Sequence, residues 1–192
     1  MKKALFLVTI FFCTISNINA ENIKRIIIGN ADAKISIIAF ESLTCSHCAN
    51  FHKDVFPDLK KDYLDTGLAK IEFRHFPLDI AAFNASKVAQ CNNDGDSKIL
   101  NSLFANQQKW VKGSSIQEAN ENLKKFLVSE GYNVDFEKCI NDKEIEDFVL
   151  NDRLDAVKKF KISSTPTIII NDKKFEKSLN YKNLNKALEK LI

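Results

Sequence analysis

Two cysteines, Cys45 and Cys48, stand where an apolar, β-favouring run (Ile35, Ile37, Ile38, Phe40) gives way to a helical pattern (Phe51, Val55, Leu59, Tyr63). A CxxC at a strand-to-helix junction restricts the possible folds more than any other feature of the chain. Cys45 falls at or before the helix N-terminus. Unpaired first-turn N–H groups and the helix dipole favour negative charge there, and the negatively charged thiolate is the reactive form of cysteine. The motif therefore reads as a dithiol/disulfide exchange centre. The same residues would also suit a structural disulfide, or half of a zinc site joined by His52, four residues after Cys48 on the same helix face.

The N-terminus decides which chemistry the surroundings permit. Lys2 and Lys3 precede an apolar stretch, Ala4 to Ile15, and Ile18-Asn19-Ala20 fits a small-residue cleavage site. We expect residues 1–20 to be a signal peptide cleaved after Ala20. The apolar run is short for a bilayer span, and an uncleaved anchor is the alternative. Cys13 lies within this segment, after Phe11 and Phe12, which do not suit lipoprotein processing. Removing Lys2 and Lys3 takes the formal charge from +3 to about +1. With no basic stripe and no interleaved aromatics, nucleic acid is not an expected partner. Export implies an oxidising compartment. The mature chain keeps Cys45, Cys48, Cys91 and Cys139; pairing within the CxxC leaves Cys91 with Cys139 as a structural disulfide.

Along the mature chain, Ile26–Ile28 closed by Gly29-Asn30 reads as a first strand and Lys34–Phe40 as a second. A helix over 46–65 follows, with a kink near Phe56 because of Pro57 and Gly67 at its C-cap. Leu68–Phe76 alternates apolar and charged residues, a strand with one polar face, parallel to the second across a right-handed crossover. Helical patterns then cover 80–91, 97–110, 118–129, 135–140 and 142–161. Thr165-Pro166-Thr167 leads into Ile168–Ile170, a strand buried on both faces, with a turn at Asn171-Asp172. An edge strand over 173–176 and a helix over 181–192 complete the chain. Trp110 reads as core, and His52 and His75 as structural residues.

This order, with CxxC at the strand-to-helix junction and Thr-Pro before a late strand, resembles a thioredoxin fold carrying a helical insertion. More narrowly, three stretches resemble the DsbA family of exported thiol oxidases: Phe40-Glu41-Ser42-Leu43-Thr44-Cys45-Ser46-His47-Cys48, Arg74-His75-Phe76-Pro77-Leu78, and Thr165-Pro166-Thr167. The resemblance covers essentially all of the mature sequence. It implies an α/β architecture, a central mixed sheet flanked by helices. The thioredoxin domain would comprise 21–77 and 141–192, with the helical insertion at 78–140.

The resemblance also assigns roles. Cys45 would be the nucleophile and Cys48 the buried resolving cysteine, with His47 stabilising the Cys45 thiolate. Pro166 would be a cis-proline facing the CxxC, with Thr165 before it beside an extended substrate peptide. It implies a periplasmic enzyme that introduces disulfides into reduced, unfolded exported proteins. Reoxidation would come from a membrane DsbB-type partner; no cofactor or metal is expected, and the protein would be a monomer. Two departures stand out. Family members commonly carry a buried acid six residues before the first cysteine, where this chain has Ala39. Glu41 shares that strand face, but the role is not carried over to it. Ser46 stands where proline is frequent. The rival readings are a disulfide isomerase or reductase of the same fold, and a non-catalytic thioredoxin-like binding or chaperone module.

Overall fold

A computed structural model describes residues 23–91, 95 and 98–192. The expected signal segment with Cys13, and Ser97 at the expected start of a helix, lie outside the described residues. Among the described residues, five strands, β1 (Ile26–Gly29), β2 (Ile35–Glu41), β3 (Ala69–His75), β4 (Thr167–Ile170) and β5 (Lys173–Lys174), form one mixed sheet in the order β1-β3-β2-β4-β5. As expected, β2 and β3 run parallel. The pairs β1–β3, β2–β4 and β4–β5 are antiparallel. Gly29 has φ +102°, and a Cβ there would collide with the Ala69 carbonyl oxygen where β1 meets β3.

The two sheet faces follow from the period-2 alternation of strands. Ile37, Ala39, Ile71, Ile168 and Ile170 face a core shared with the CxxC helix. On the opposite face, Phe40 and Ile169 pack with Ala156, Ile162 and Phe76. All four residues of β4 are buried, as its isoleucine run implies.

The chain around Pro57 departs from one continuous helix. The first segment, α1 (Ser46–Asp54), ends at Val55, whose φ is −122°. A short α2 (Phe56–Leu59) then continues as a π-helical stretch, Lys60–Leu64. The break moves Pro57 into the first turn of α2, where its missing N–H is not needed and its ring does not oppose an upstream carbonyl. Gly67 follows with φ +77°.

Among the described residues, six helices separate β3 from β4: α3 (Ile80–Cys91), α4 (Lys98–Ala105), α5 (Gln107–Trp110), α6 (Ile116–Ser129), α7 (Phe136–Asn141) and α8 (Lys143–Phe160). The single helix expected over 97–110 is divided at Asn106, whose backbone N–H and side-chain amide both donate to the Ser102 carbonyl. The indole of the buried Trp110 donates to the Leu103 carbonyl at 2.9 Å, satisfying an acceptor near this break. The starts of α6, α7 and α8 are capped by Ser115, Asp135 and Asp142, whose side chains accept first-turn N–H groups.

α8 is tied to the sheet by Asp152, a buried carboxylate that accepts from the Arg25 guanidinium and, at 3.0 Å, from the His75 backbone N–H. His75 is itself buried, with Nε2 on Gln90 Oε1 at 3.2 Å. After β4, Asn171 and Asp172 both adopt positive φ, as a tight hairpin requires. The edge strand is only two residues long. The chain ends in α9 (Tyr181–Leu188) and a 3₁₀ turn, Glu189–Leu191.

Candidate active site

Cys45 is the N-cap of α1, in extended conformation, and its carbonyl accepts from the Cys48 and Ala49 N–H groups. The helix therefore begins directly beneath its sulfur. Cys45 is partly exposed and Cys48 completely buried, and their sulfurs are not bonded to each other in this structure. The Cys45 thiol is pulled down from its ordinary 9.0 to about 5. The main cause is a hydrogen bond from the Cys48 thiol; burial opposes it, and the Thr165 side chain and the Cys48 and His47 backbone N–H groups add to it. The Cys48 thiol is pushed strongly up, first by burial, then by its bond to Cys45 and the nearby charge of Glu41. Two sulfurs one helical turn apart are thus biased in opposite directions.

The other wall is the loop before β4. The Thr165–Pro166 peptide bond is cis. In its thiol form Cys45 donates to the Thr165 carbonyl oxygen at 3.5 Å. A thiolate has no proton to give, and the Thr165 hydroxyl becomes its natural donor. That hydroxyl is buried and has no hydrogen-bond partner of ordinary length among the described residues. Pro166 and His47 line one groove of about 480 Å³ with Phe51, Val55 and Tyr181. The His47 side chain is exposed. What His47 brings to the Cys45 sulfur is its backbone N–H.

Beneath the CxxC lies a pair joined from two elements. Glu41, the last residue of β2, shares the face of Ala39 and is 4% exposed. Its Oε2 is 2.9 Å from His52 Nε2 on α1. Burial raises the Glu41 carboxyl above its usual range, against the pull of His52. Glu41 Oε1 accepts no hydrogen bond among the described residues. His52 Nε2 is thus turned to a carboxylate rather than to the two sulfurs, as a shared zinc would require. The imidazole stacks on Phe104 of α4, with ring centroids 4.2 Å apart.

The loop carrying Cys45 is held from the helical segment. Gln107 Nε2 donates to the carbonyls of Leu43 (2.7 Å) and Cys45 (3.0 Å). The Thr44 hydroxyl donates to Asp79 Oδ2 at 2.7 Å, and the Leu78 N–H donates to Ser42 Oγ. Elsewhere, Cys91 at the end of α3 is bonded to Cys139 in α7, with Cα atoms 5.4 Å apart. The sequence placed Glu41 and His52 on the correct faces without pairing them. Nothing in the sequence around Gln107 marks it.

A family model described as Thioredoxin matches residues 21–190. The chain is 28% identical over 170 residues to a Rickettsia bellii (strain RML369-C) protein named "Putative protein-disulfide oxidoreductase", covering 86% of this chain and 64% of that one. It thus spans under two thirds of that relative's length. It is 27% identical over 176 residues to "Disulfide bond formation protein D" of Bacillus subtilis (strain 168), covering 85% of this chain and 75% of that one. Among solved structures it is similar to alpha-DsbA1 of Wolbachia pipientis, at 30% identity, a TM-score of 0.77 and coverage of 88% of this chain and 90% of that one. With the CxxC on the first turn of α1 and cis-Pro166 opposite, the chain belongs to the thioredoxin family and, within it, to the DsbA proteins.

Proposed function

We propose that the protein is an exported protein thiol:disulfide oxidoreductase that introduces disulfides into reduced, unfolded proteins in the periplasm. The observation that carries this reading is the opposite bias of the two sulfurs. At about 5, the Cys45 thiol is almost wholly thiolate near neutral pH, whereas an ordinary cysteine is about 1% thiolate. A stable thiolate stabilises the reduced enzyme and makes its disulfide oxidising; the same reasoning explains the low-pKa DsbA that serves as a general reference for strong oxidants.

In the oxidised enzyme a substrate thiolate attacks Cys45 Sγ. A substrate–Cys45 bond forms, the Cys45–Cys48 bond breaks, and Cys48 leaves with the electron pair and takes up a proton. A second substrate thiolate then attacks the substrate sulfur of this mixed disulfide, and Cys45 leaves as a thiolate that needs no proton. The substrate is oxidised by two electrons and the enzyme reduced by two. A membrane DsbB-type protein would restore the disulfide. The backbone beside Thr165 and cis-Pro166 would align the substrate chain, Glu41 would serve as the buried acid near Cys48, and Cys91–Cys139 would pin α3 to α7. Among the described residues no helix is long and apolar enough to cross a membrane.

Two measurements test the reading. Oxidised protein should form disulfides in a reduced peptide and should be more oxidising than glutathione. A potential below that of glutathione would favour a reductase. In the reduced protein, Cys45 should alkylate rapidly at mildly acidic pH; a slow thiol would leave only a non-catalytic thioredoxin-like module.

A further inference from the structure

We infer that the groove between α1 and the helical segment is a second substrate subsite, which holds one arm of the unfolded chain bonded to Cys45 and favours an acidic side chain about three residues from the reacting cysteine. The inference deepens the oxidoreductase reading and rests on it. The subsite is separate from the groove at cis-Pro166. Three observations carry it: the continuity of the groove with Cys45, its lining, and the charge of Lys53.

Two grooves flank the exposed ridge of α1, and both open at the dipeptide between the cysteines. The smaller begins at His47 and runs past Phe51 and Asp54, with Pro166 on its wall. The larger, of about 890 Å³, begins at Ser46 and runs past Ala49 and Lys53. Asn50 lines both and forms the crest between them. Gln107 lines the larger groove and donates to the Cys45 carbonyl at 3.0 Å, so this groove adjoins the nucleophile. An extended chain joined to Cys45 Sγ has two arms. The backbone at Thr165 and cis-Pro166 guides one toward the smaller groove, and the other enters the larger.

The lining suits a polypeptide. Phe56 and Phe104 are buried beneath the groove, and Val111 on its wall is 38% exposed. These surfaces accept apolar side chains. The exposed amides of Asn50 and Gln108 offer donors and acceptors to a peptide backbone that has no strand partner. No acidic side chain lines the groove among the described residues. Lys53 does line it; the residue is exposed, and its ammonium has no hydrogen-bond or ion-pair partner among the described residues. Lys109 of the neighbouring α5, by contrast, is engaged by Glu130 at 3.2 Å.

The helix sets the reach. At 1.5 Å per residue, Lys53 lies about 10 Å along α1 from Ser46, a length that about three extended residues span. An acidic side chain that far from the substrate cysteine meets the Lys53 ammonium. Across the crest the next residue, Asp54, is exposed on the smaller groove and likewise makes no ion pair among the described residues. The two flanks of α1 thus carry opposite charges and tell the two arms of a substrate apart. A chain with its acidic side toward Lys53 is held in one direction across Cys45.

Two experiments test the inference. In the first, Cys45 of the Cys48→Ala protein attacks a peptide whose cysteine is activated as a 2-pyridyl disulfide. A Cys45–peptide bond forms, pyridine-2-thione leaves, and the mixed disulfide persists because no resolving thiol remains. A benzophenone side chain near the peptide cysteine, on one side or the other, is then photo-cross-linked and mapped by mass spectrometry. One arm should reach Phe104 or Val111 and the other Leu179 or Tyr181. Cross-links from both arms confined to Leu179 and Tyr181, or absent from both grooves, would overturn the inference. In the second, oxidised wild type reacts at 0.15 M salt with reduced peptides that carry Glu or Lys about three residues from the cysteine on the Val111 side. Rates are expressed per peptide thiolate. The Glu peptide should react about three- to fivefold faster, the scale of an exposed ion pair. Lys53→Glu should reverse that order. Lys186→Glu makes the same change of net charge on α9, outside both grooves, and should preserve it because screening confines the effect to near charges. An unchanged order in Lys53→Glu, or an equal loss in Lys186→Glu, would overturn the inference. Failure of the oxidised wild type to react with dithiothreitol as well as with every peptide would instead sink the oxidoreductase reading.

Discussion

The main cause of the low Cys45 pKa is the hydrogen bond from the Cys48 thiol, and Cys48→Ala removes it while leaving α1 and Thr165 in place. A hydrogen bond to a charged group is worth about 1.5–3 kcal/mol. At about 1.4 kcal/mol per pKa unit, that corresponds to roughly one to two units. Cys45 is partly solvated, and screening places the expected change at about one unit. Cys45 should therefore move from about 5 to roughly 6 in Cys48→Ala. Cys48→Ser, which keeps an O–H donor at the same place, should stay close to the wild type. Both variants expose a single reactive thiol, so the assay is the pH dependence of iodoacetamide alkylation, checked by the ultraviolet absorbance of the thiolate. A Cys48→Ala protein with Cys45 still at about 5 would show that the Cys48 thiol is not what holds the thiolate. The thiolate would then be held by the helix N–H groups and Thr165 alone.

Further expectations concern the surrounding structure. Thr165→Val removes the unpaired hydroxyl beside Cys45; its thiol should rise, and the disulfide should become less oxidising by about 30 mV per pKa unit in a redox equilibrium with glutathione. Gln107→Leu removes both bonds to the Leu43 and Cys45 carbonyls, and should lower stability by about 1–3 kcal/mol in urea unfolding. Converting both Cys91 and Cys139 to Ala opens a link between residues 48 apart, with an expected loss of up to about 4 kcal/mol in the chain-entropy model, read from the same titration. The stability of the reduced protein relative to the oxidised one should depend on pH. Cys45 is depressed from 9.0 to about 5, so its contribution to the reduced form is complete above pH 9 and is lost as pH falls to about 5. Cys48 is raised and affects the balance only above pH 9. The thermal unfolding gap between the two forms should therefore shift against the reduced form across that window.

The strands and most helices were legible because their patterns answer to burial on one face or two. Ile168–Ile170 had to lie inside a sheet, and the alternation over 69–75 had to give one buried face. The breaks were less legible because they depend on local competition. Pro57 announced a disruption but not that Val55 would take it, and Asn106 gave no periodic sign that the helix would divide there. Within the site, the motif spacing located Cys45 and Cys48, and the family resemblance located Thr165–Pro166. The Glu41–His52 pair required knowing that β2 and α1 point their buried faces at one another. Gln107 and Asp152 were out of reach for a simpler reason: their partners lie about 60 to 130 positions away along the chain, and neither polar side chain is distinguished from its exposed neighbours by pattern.

The β2–α1 junction explains why the two cysteines differ although they share a motif. Placing Cys45 at the N-cap leaves its sulfur outside the helix, facing first-turn N–H groups and the edge of the Thr165 loop. Three residues later the helix has turned the next cysteine inward, against Glu41–Ser42 and away from water. Starting α1 one residue earlier would make Cys45 a helical residue and rotate Cys48 by about 100° away from Glu41. One sulfur would lose its donors and the other its enclosure. The N-cap position of Cys45 is therefore the geometric origin of the asymmetry, and Gln107, bonded to the Cys45 carbonyl from a distant helix, holds that starting point from outside the sheet. By this argument the helical segment between β3 and β4 contributes to redox character through the backbone of Cys45, which Gln107 holds.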